Sequence, residues 1–409
     1  MAHAKLSPSS AVRWATCAGS VVLSEGLPER RSMPAARGTV CHDISASALL
    51  GSDMSSWVGR TVFVGREGIV PEVAPGVLKV TVDEDMIEAV EQYVAEARAA
   101  MEGADDVRIE QKVSIEKYTG EEGATGTADL IILKGRRLEV RDAKFGWHKV
   151  EAEQNWQGML YALGALDEYE LITDIDEVLI VIHQPEHGGP REWLTTPVEL
   201  RRFGVRMLSA ALQVKRAEND YAEIFEESNT VTPAEWEAEY LKPSNDGCRY
   251  CPARATCPAL KAEVDAAVAQ DFDDLTDDGL GASMSMVERV EAWTKAVRAE
   301  VERRLMGRKH VPGFKLVIGR RGARKFQDEA LAEAQLYAGL GDAAFKKELI
   351  TPTTAEKLLK KDKPTLWLEI AKGITQSEGK PSVAPESDKR EAYQPGASAD
   401  EFEVLTEEE

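Results

Sequence analysis

The stretch from Val107 to Gln184 constrains this chain most. Three short segments of strand-like composition follow one another closely, Val107–Ile115, Thr127–Leu133 and Arg137–Lys144. A helical pattern then runs from Glu151 to Leu166, and Glu177–Gln184 (EVLIVIHQ) is an apolar run of the length of a buried strand. Lys134-Gly135-Arg136 separates the second and third segments and reads as a hairpin turn. A helix, three strands, a helix and a further strand predict an α/β fold with a mixed central sheet flanked by helices.

Within the hairpin, Gly126-Thr127-Ala128-Asp129 opens one strand, and Asp142-Ala143-Lys144 ends the next. Side chains alternate along a strand, so Asp142 and Lys144 should share a side. The hairpin should bring Asp129 beside them. Two carboxylates and a backbone carbonyl, that of Ala143, make a hard oxygen site suited to Mg²⁺ or Mn²⁺. Such an ion polarises phosphodiesters and acidifies water, and Lys144 would orient the water or neutralise phosphate charge. An Asp-X-Lys tripeptide alone is common, and most are solvated strand ends.

Three more elements stand in order around these residues. Gly38-Thr39-Val40-Cys41-His42 lies upstream on an expected helix from Thr39 to Leu50. Gln157-Gly-Met-Leu-Tyr161 lies downstream, with Gln157 and Tyr161 on one helical face. Together with Gly126…Asp129 and Asp142-X-Lys144, they make residues 38–165 resemble the RecB-like branch of the PD-(D/E)XK nuclease superfamily. The resemblance implies a restriction-endonuclease-like core and catalytic roles for Asp129, Asp142, Lys144, Gln157 and Tyr161. It implies a metal site of His42, Asp129, Asp142 and the Ala143 carbonyl, and DNA as substrate. Glu110, on the strand before Asp129, is a candidate auxiliary acid.

The five cysteines are Cys17, Cys41, Cys248, Cys251 and Cys257. The odd count and the tight spacing Cys248-X2-Cys251-X5-Cys257 point to metal ligation rather than disulfides. Three thiolates need a fourth ligand, for which Cys17 is the best candidate. Four thiolates suit structural Zn²⁺ and iron–sulfur chemistry alike. By resemblance to iron–sulfur RecB-like nucleases, the set is assigned a [4Fe–4S] cluster that closes the two ends of the nuclease domain on each other, with zinc as the alternative. Cys41 is expected to be a small packed residue.

Elsewhere Asp83–Met101 has an amphipathic helical pattern, with Met86, Ile87, Val90, Tyr93, Val94 and Ala97 on one face. Pro197–Glu226 is helical in pattern, Thr232-Pro-Ala-Glu235 reads as a capping box, and Pro258 begins another helix. Gln270–Gly281 is acidic and reads as a linker, followed by a helix over Ser283–Met306 and short helices beyond. Arg303 to Lys325 is the most basic stretch, with a strand expected within Gly313–Phe326; it suits either a DNA-backbone contact or a solvated face. The expected organisation is a cysteine-closed core over 1–270, a helical and basic region over 271–378 and an acidic disordered tail over 379–409. From Gln376 onward ten acidic residues face three basic ones.

The net charge of −21 argues against a simple electrostatic duplex binder and leaves room for a local basic channel. No apolar run reaches membrane-spanning length and the N-terminus lacks a signal-peptide core, so the expected location is the cytoplasm, a host's if the gene is a phage's. The leading expectation is a metal-dependent exonuclease acting on DNA ends or single strands in recombination or repair. The alternatives are a catalytically inactive DNA-binding accessory protein and a cluster-stabilised interaction protein. A single-strand annealing or binding protein is a candidate partner for the tail.

Overall fold

The structure is a computed structural model. It describes residues 4–27, 32–65, 68–74, 76–226, 230–269, 276–317, 329–340, 344–345, 352–361 and 363–374. The chain divides into two units, Met1–Val317 and Ile318–Glu409.

The strands of the first unit are β1 (Thr61–Gly65), β2 (Gly68–Val70), β3 (Leu78–Thr81), β4 (Asp106–Ser114), β5 (Thr125–Lys134), β6 (Arg137–Ala143), β7 (Glu177–Gln184) and β8 (Gly189–Thr195). Its helices are α1 (Ala11–Thr16), α2 (Gly19–Ser24), α3 (Met33–Leu49), α4 (Glu84–Met101), α5 (Glu116–Thr119), α6 (Trp156–Tyr169), α7 (Pro197–Glu223), α8 (Pro233–Tyr240), α9 (Asn245–Arg249), α10 (Pro258–Val268) and α11 (Asp277–Met306). The second unit contributes α12 (Glu329–Leu340), α13 (Pro352–Leu359) and α14 (Pro364–Ala371).

The main sheet runs β4-β5-β6-β7-β8 and is mixed: β6 and β7 are parallel and the other neighbours antiparallel. The helix α6 supplies the crossover that a parallel pair requires. The hairpin between β5 and β6 closes at Lys134↔Arg137, with Gly135 at φ +58° in the turn. A small antiparallel sheet, β2-β1-β3, lies outside this order.

Both faces of the main sheet are covered, which is why β5 to β7 are so apolar. Ile131, Leu133, Val140 and Ile180 join a core with Leu160 and Leu163 of α6 and Phe203 and Met207 of α7. Leu130, Ile132 and Ala143 join a second core with α3, α4 and the small sheet. The amphipathic stripe of α4 is buried there as expected, and Asp83 caps that helix by accepting from the Met86 amide at 3.0 Å. Arg37 on α3 pairs with the same carboxylate at 2.6 Å, tying the two helices at one end.

The capping box at Thr232 forms, with Glu235 closing it. Other boundaries differ from expectation. The helix α3 begins at Met33 rather than near Thr39, because Ser32 caps it and Pro34 suits its first turn. Residues Asp277–Gly281, expected in a linker, form the first turn of α11: the Thr276 hydroxyl accepts from the Gly279 amide at 3.2 Å, and Asp277 and Asp278 sit where the helix dipole favours acid. The rest of that linker, residues 270–275, lies outside the described residues. Of the expected basic strand, residues 313–317 form no strand; a bridge between Val311 and Phe314 turns about Gly313, and the remainder and the acidic tail lie outside the described residues. Among the described residues, no helix is long and apolar enough to cross a membrane.

Candidate metal centre and active site

The site lies where the regular pairing of the main sheet lapses. The ladder between β5 and β6 ends at Leu130↔Arg141, and the next available amide, that of Ala143, donates instead to the Asp129 carboxylate at 2.7 Å. On the other side, pairing skips from Ile109↔Leu130 to Gln111↔Ala128. Glu110 therefore falls opposite Asp129, with a left-handed φ of +50° that non-glycine residues adopt only under local constraint. Side-chain alternation slips at the same point: Ala128 and Ile131 share one core, Leu130 and Ile132 the other.

His42 of α3 reaches this opening, its Nδ1 3.4 Å from Asp129 Oδ1. One ligand atom each from His42, Glu110 and Asp129 lies within 4.8 Å of the others. One imidazole and two carboxylates suit a divalent ion such as Mg²⁺ or Mn²⁺. Phe145 packs edge-on against the His42 ring at 5.3 Å and holds it from behind.

Asp142 follows in line on β6 and is buried. Lys144 places Nζ 2.5 Å from Asp142 Oδ2 and donates to Gln157 Oε1 at 3.0 Å. Gln157 Nε2 lies 3.4 Å from Asp142 Oδ1 and donates to the Tyr161 hydroxyl at 3.0 Å. The sequence-predicted residues His42, Asp129, Asp142, Lys144, Gln157 and Tyr161 are thus brought together. Ala143 joins them through its amide, and Glu110 stands with His42 and Asp129 in the group of potential ligand atoms, which does not contain Asp142 or the Ala143 carbonyl of the expected set.

The spacing has a steric reason. A Cβ on Gly126 would lie 2.5 Å from Tyr161 Cε1 and 2.8 Å from Pro8 Cγ, so the glycine is the flat seat on which the Tyr161 ring rests. That seat fixes Tyr161, and through it Gln157 and Lys144.

Charges in the site are set by burial and by each other. Crowding around its carboxyl and the Asp129 charge push Glu110 up to about 7. Burial opposes ionisation of both His42 and Asp129, but each favours the other's charge enough that His42 is raised and Asp129 lowered. Burial raises Asp142 despite the Lys144 cation. A bound cation would relieve this accumulation of negative charge.

The four expected cysteines also meet. Cys17, Cys248, Cys251 and Cys257 line one pocket with Leu23, Leu241 and Leu260. Cys17 Sγ accepts from the Lys242 amide at 3.3 Å and Cys248 Sγ from the Ser244 amide at 3.4 Å. Burial raises the Cys248 thiol to about 11 and also raises Cys251 and Cys257. Helix α11 packs over this end against α9 and α10. Cys41 is buried among α3 and α4 residues as a packing residue, its thiol pushed up to about 12.

Sequence reading missed the support behind the site. His183 of β7 is buried with Nδ1 3.1 Å from Glu96 of α4, and its ring meets Tyr93 at 5.3 Å. The signal was the polar His183-Gln184 end of an otherwise apolar strand.

Residues 3–391 match the family described as "Protein of unknown function (DUF2800)". A solved structure described as "Crystal structure of SSO0001" is similar over 42% of this chain and 71% of that chain, at 14% identity and a TM-score of 0.21.

Proposed function

The chain belongs to the DUF2800 family, and for it we propose a metal-dependent DNA nuclease activity, centred on Asp129, Asp142 and Lys144. The observation that carries this reading is the cluster of His42, Glu110 and Asp129 at a break in the sheet, continued by Asp142 and Lys144. His42, Glu110 and Asp129 would hold a divalent ion, with Asp142 next to them. When bound, that ion supplies Lewis acidity to a phosphodiester. Lys144, one end of whose ammonium already faces Asp142, neutralises phosphate charge and holds water for in-line attack. Gln157 and Tyr161 fix the ammonium against drift through their hydrogen bonds. The reaction class is phosphodiester hydrolysis, read here as exonucleolytic at DNA ends or single strands.

The cysteine pocket supports a resident [4Fe–4S] cluster that closes Cys17 onto residues 248–257. Four thiols in one pocket, with amides directed at Cys17 and Cys248, fit thiolate ligation. Structural zinc on the same four thiolates is the alternative occupant.

The test is incubation of purified protein with labelled linear DNA and Mg²⁺ or Mn²⁺. Degradation by the native chain and its loss in Asp142→Ala support the reading; equal activity in the variant refutes the site.

A further inference from the structure

The loop that leaves the site presents an aromatic side chain to solvent on a backbone that is held from within. Trp147 is 73% exposed, three residues beyond Lys144. The Gln184 side chain is fully buried and donates through Nε2 to the carbonyls of Gly146 and His148, both at 2.7 Å. These are the two carbonyls flanking Trp147. Gln184 Oε1 also accepts from the Val150 amide at 3.0 Å. His187 Nε2 lies 2.7 Å from the Trp147 carbonyl itself. Upstream, Phe145 is anchored against His42 and Tyr93.

A large apolar ring in water on a mobile loop needs no explanation. Here a buried amide is committed to holding the loop, and the ring gains no burial from it. The buried Gln184 amide thus fixes the backbone on either side of an exposed indole, a flat face on which a base can stack. Trp147 follows Lys144 by three residues, at most about 10 Å of backbone, so the loop that carries the indole begins at the site. Bases paired within a duplex have their faces covered by neighbours; an unpaired base at a strand end or in a single strand does not.

We propose that Trp147 is a stacking platform for an unpaired base next to the scissile phosphate, making single-stranded DNA the substrate class of the site. The proposal rests on the nuclease reading for its substrate, and its test separates the two. The full-length protein is mixed with Ca²⁺ in place of Mg²⁺ and a fluorescent single-stranded oligonucleotide, an otherwise identical oligonucleotide abasic over its terminal four positions, and a blunt duplex. Binding is read by anisotropy, and cleavage is measured separately with Mn²⁺. Native protein should prefer the base-bearing strand over the abasic one. Trp147→Ala should weaken binding of the base-bearing strand by between about fivefold and 150-fold, the span of one base–aromatic stack. It should leave the abasic strand and the duplex unchanged, and Trp147→Phe should restore most of the loss. Cleavage that persists with binding unaltered in Trp147→Ala overturns the platform and leaves the nuclease reading standing. Normal base-dependent binding with no cleavage under any divalent ion overturns the nuclease reading and keeps the platform. Failure of the native protein to bind any single strand overturns the platform.

Discussion

Replacing Gly126 by alanine tests the link between the fold and the site. The new Cβ would stand 2.5 and 3.0 Å from two Tyr161 ring carbons and 2.8 Å from Pro8 Cγ. Carbon atoms pack best at about 3.5–4.0 Å, so the ring must retreat by about 1 Å. Tyr161 is itself buried and has little room to move. Overpacking of this kind costs about 1–3 kcal/mol. The glycine's extra freedom in the unfolded chain offsets about 0.4–1 kcal/mol of that. A net loss of about 1–2 kcal/mol corresponds to a fall in Tm of about 2–8 °C for a domain of a few hundred residues. Retreat of the ring also carries the Tyr161 hydroxyl away from Gln157 and loosens the partner of Lys144. Thermal unfolding and DNA degradation should fall together in Gly126→Ala. In a Tyr161→Ala background the same substitution should cost less, because its principal obstacle is gone. Unchanged stability and activity in Gly126→Ala, or strictly additive effects in the double variant, would refute this coupling.

Three further outcomes follow from the geometry. Cys17→Ser should abolish the visible absorbance near about 400 nm as completely as Cys257→Ser, and lower the unfolding temperature of both, since the site closes a long loop; retention of the band in Cys17→Ser alone would remove it from the ligand set. Glu110 has a folded pKa of about 7 against an ordinary 4.5, so its ionisation costs the metal-free fold stability as pH rises between those values; Glu110→Gln should therefore raise the metal-free Tm at pH 8, have little effect at pH 4, and weaken Mn²⁺ binding in a calorimetric titration. Thr232→Ala should cost about 1 kcal/mol in denaturant unfolding by removing a cap, with no change in DNA degradation.

The strands β5, β6 and β7 were legible because burial on two faces dictates their composition, whereas β4 was legible from its length and β-branched content alone. The candidate site residues were picked out by the resemblance, and the structure brings them into contact: Gly126 under Tyr161, Gln157 against Lys144. The small sheet β1–β3 and the edge strand β8 were not. Thr61–Gly65 and Gly68–Val70 are too short to show a period, and Gly189–Thr195 alternates charge with apolar residues beginning at Gly-Pro. Glu110 was underrated because strand periodicity assumes regular pairing, and pairing fails at Asp129. The start of α11 was masked by acid that reads as linker but acts as a helix opening. The clamp of Gln184 on the Trp147 loop joins residues 36 and 38 positions apart, a distance no local pattern reports.

The most direct test of the central claim is release of acid-soluble label from uniformly labelled linear DNA across a Mn²⁺ titration, for the native chain and for Asp129→Asn with its fold checked by circular dichroism. Release by the native chain should saturate with Mn²⁺ and stop on chelation, and it should be absent in the variant. Release that is independent of divalent ion, or equal in the two proteins, would contradict the claim.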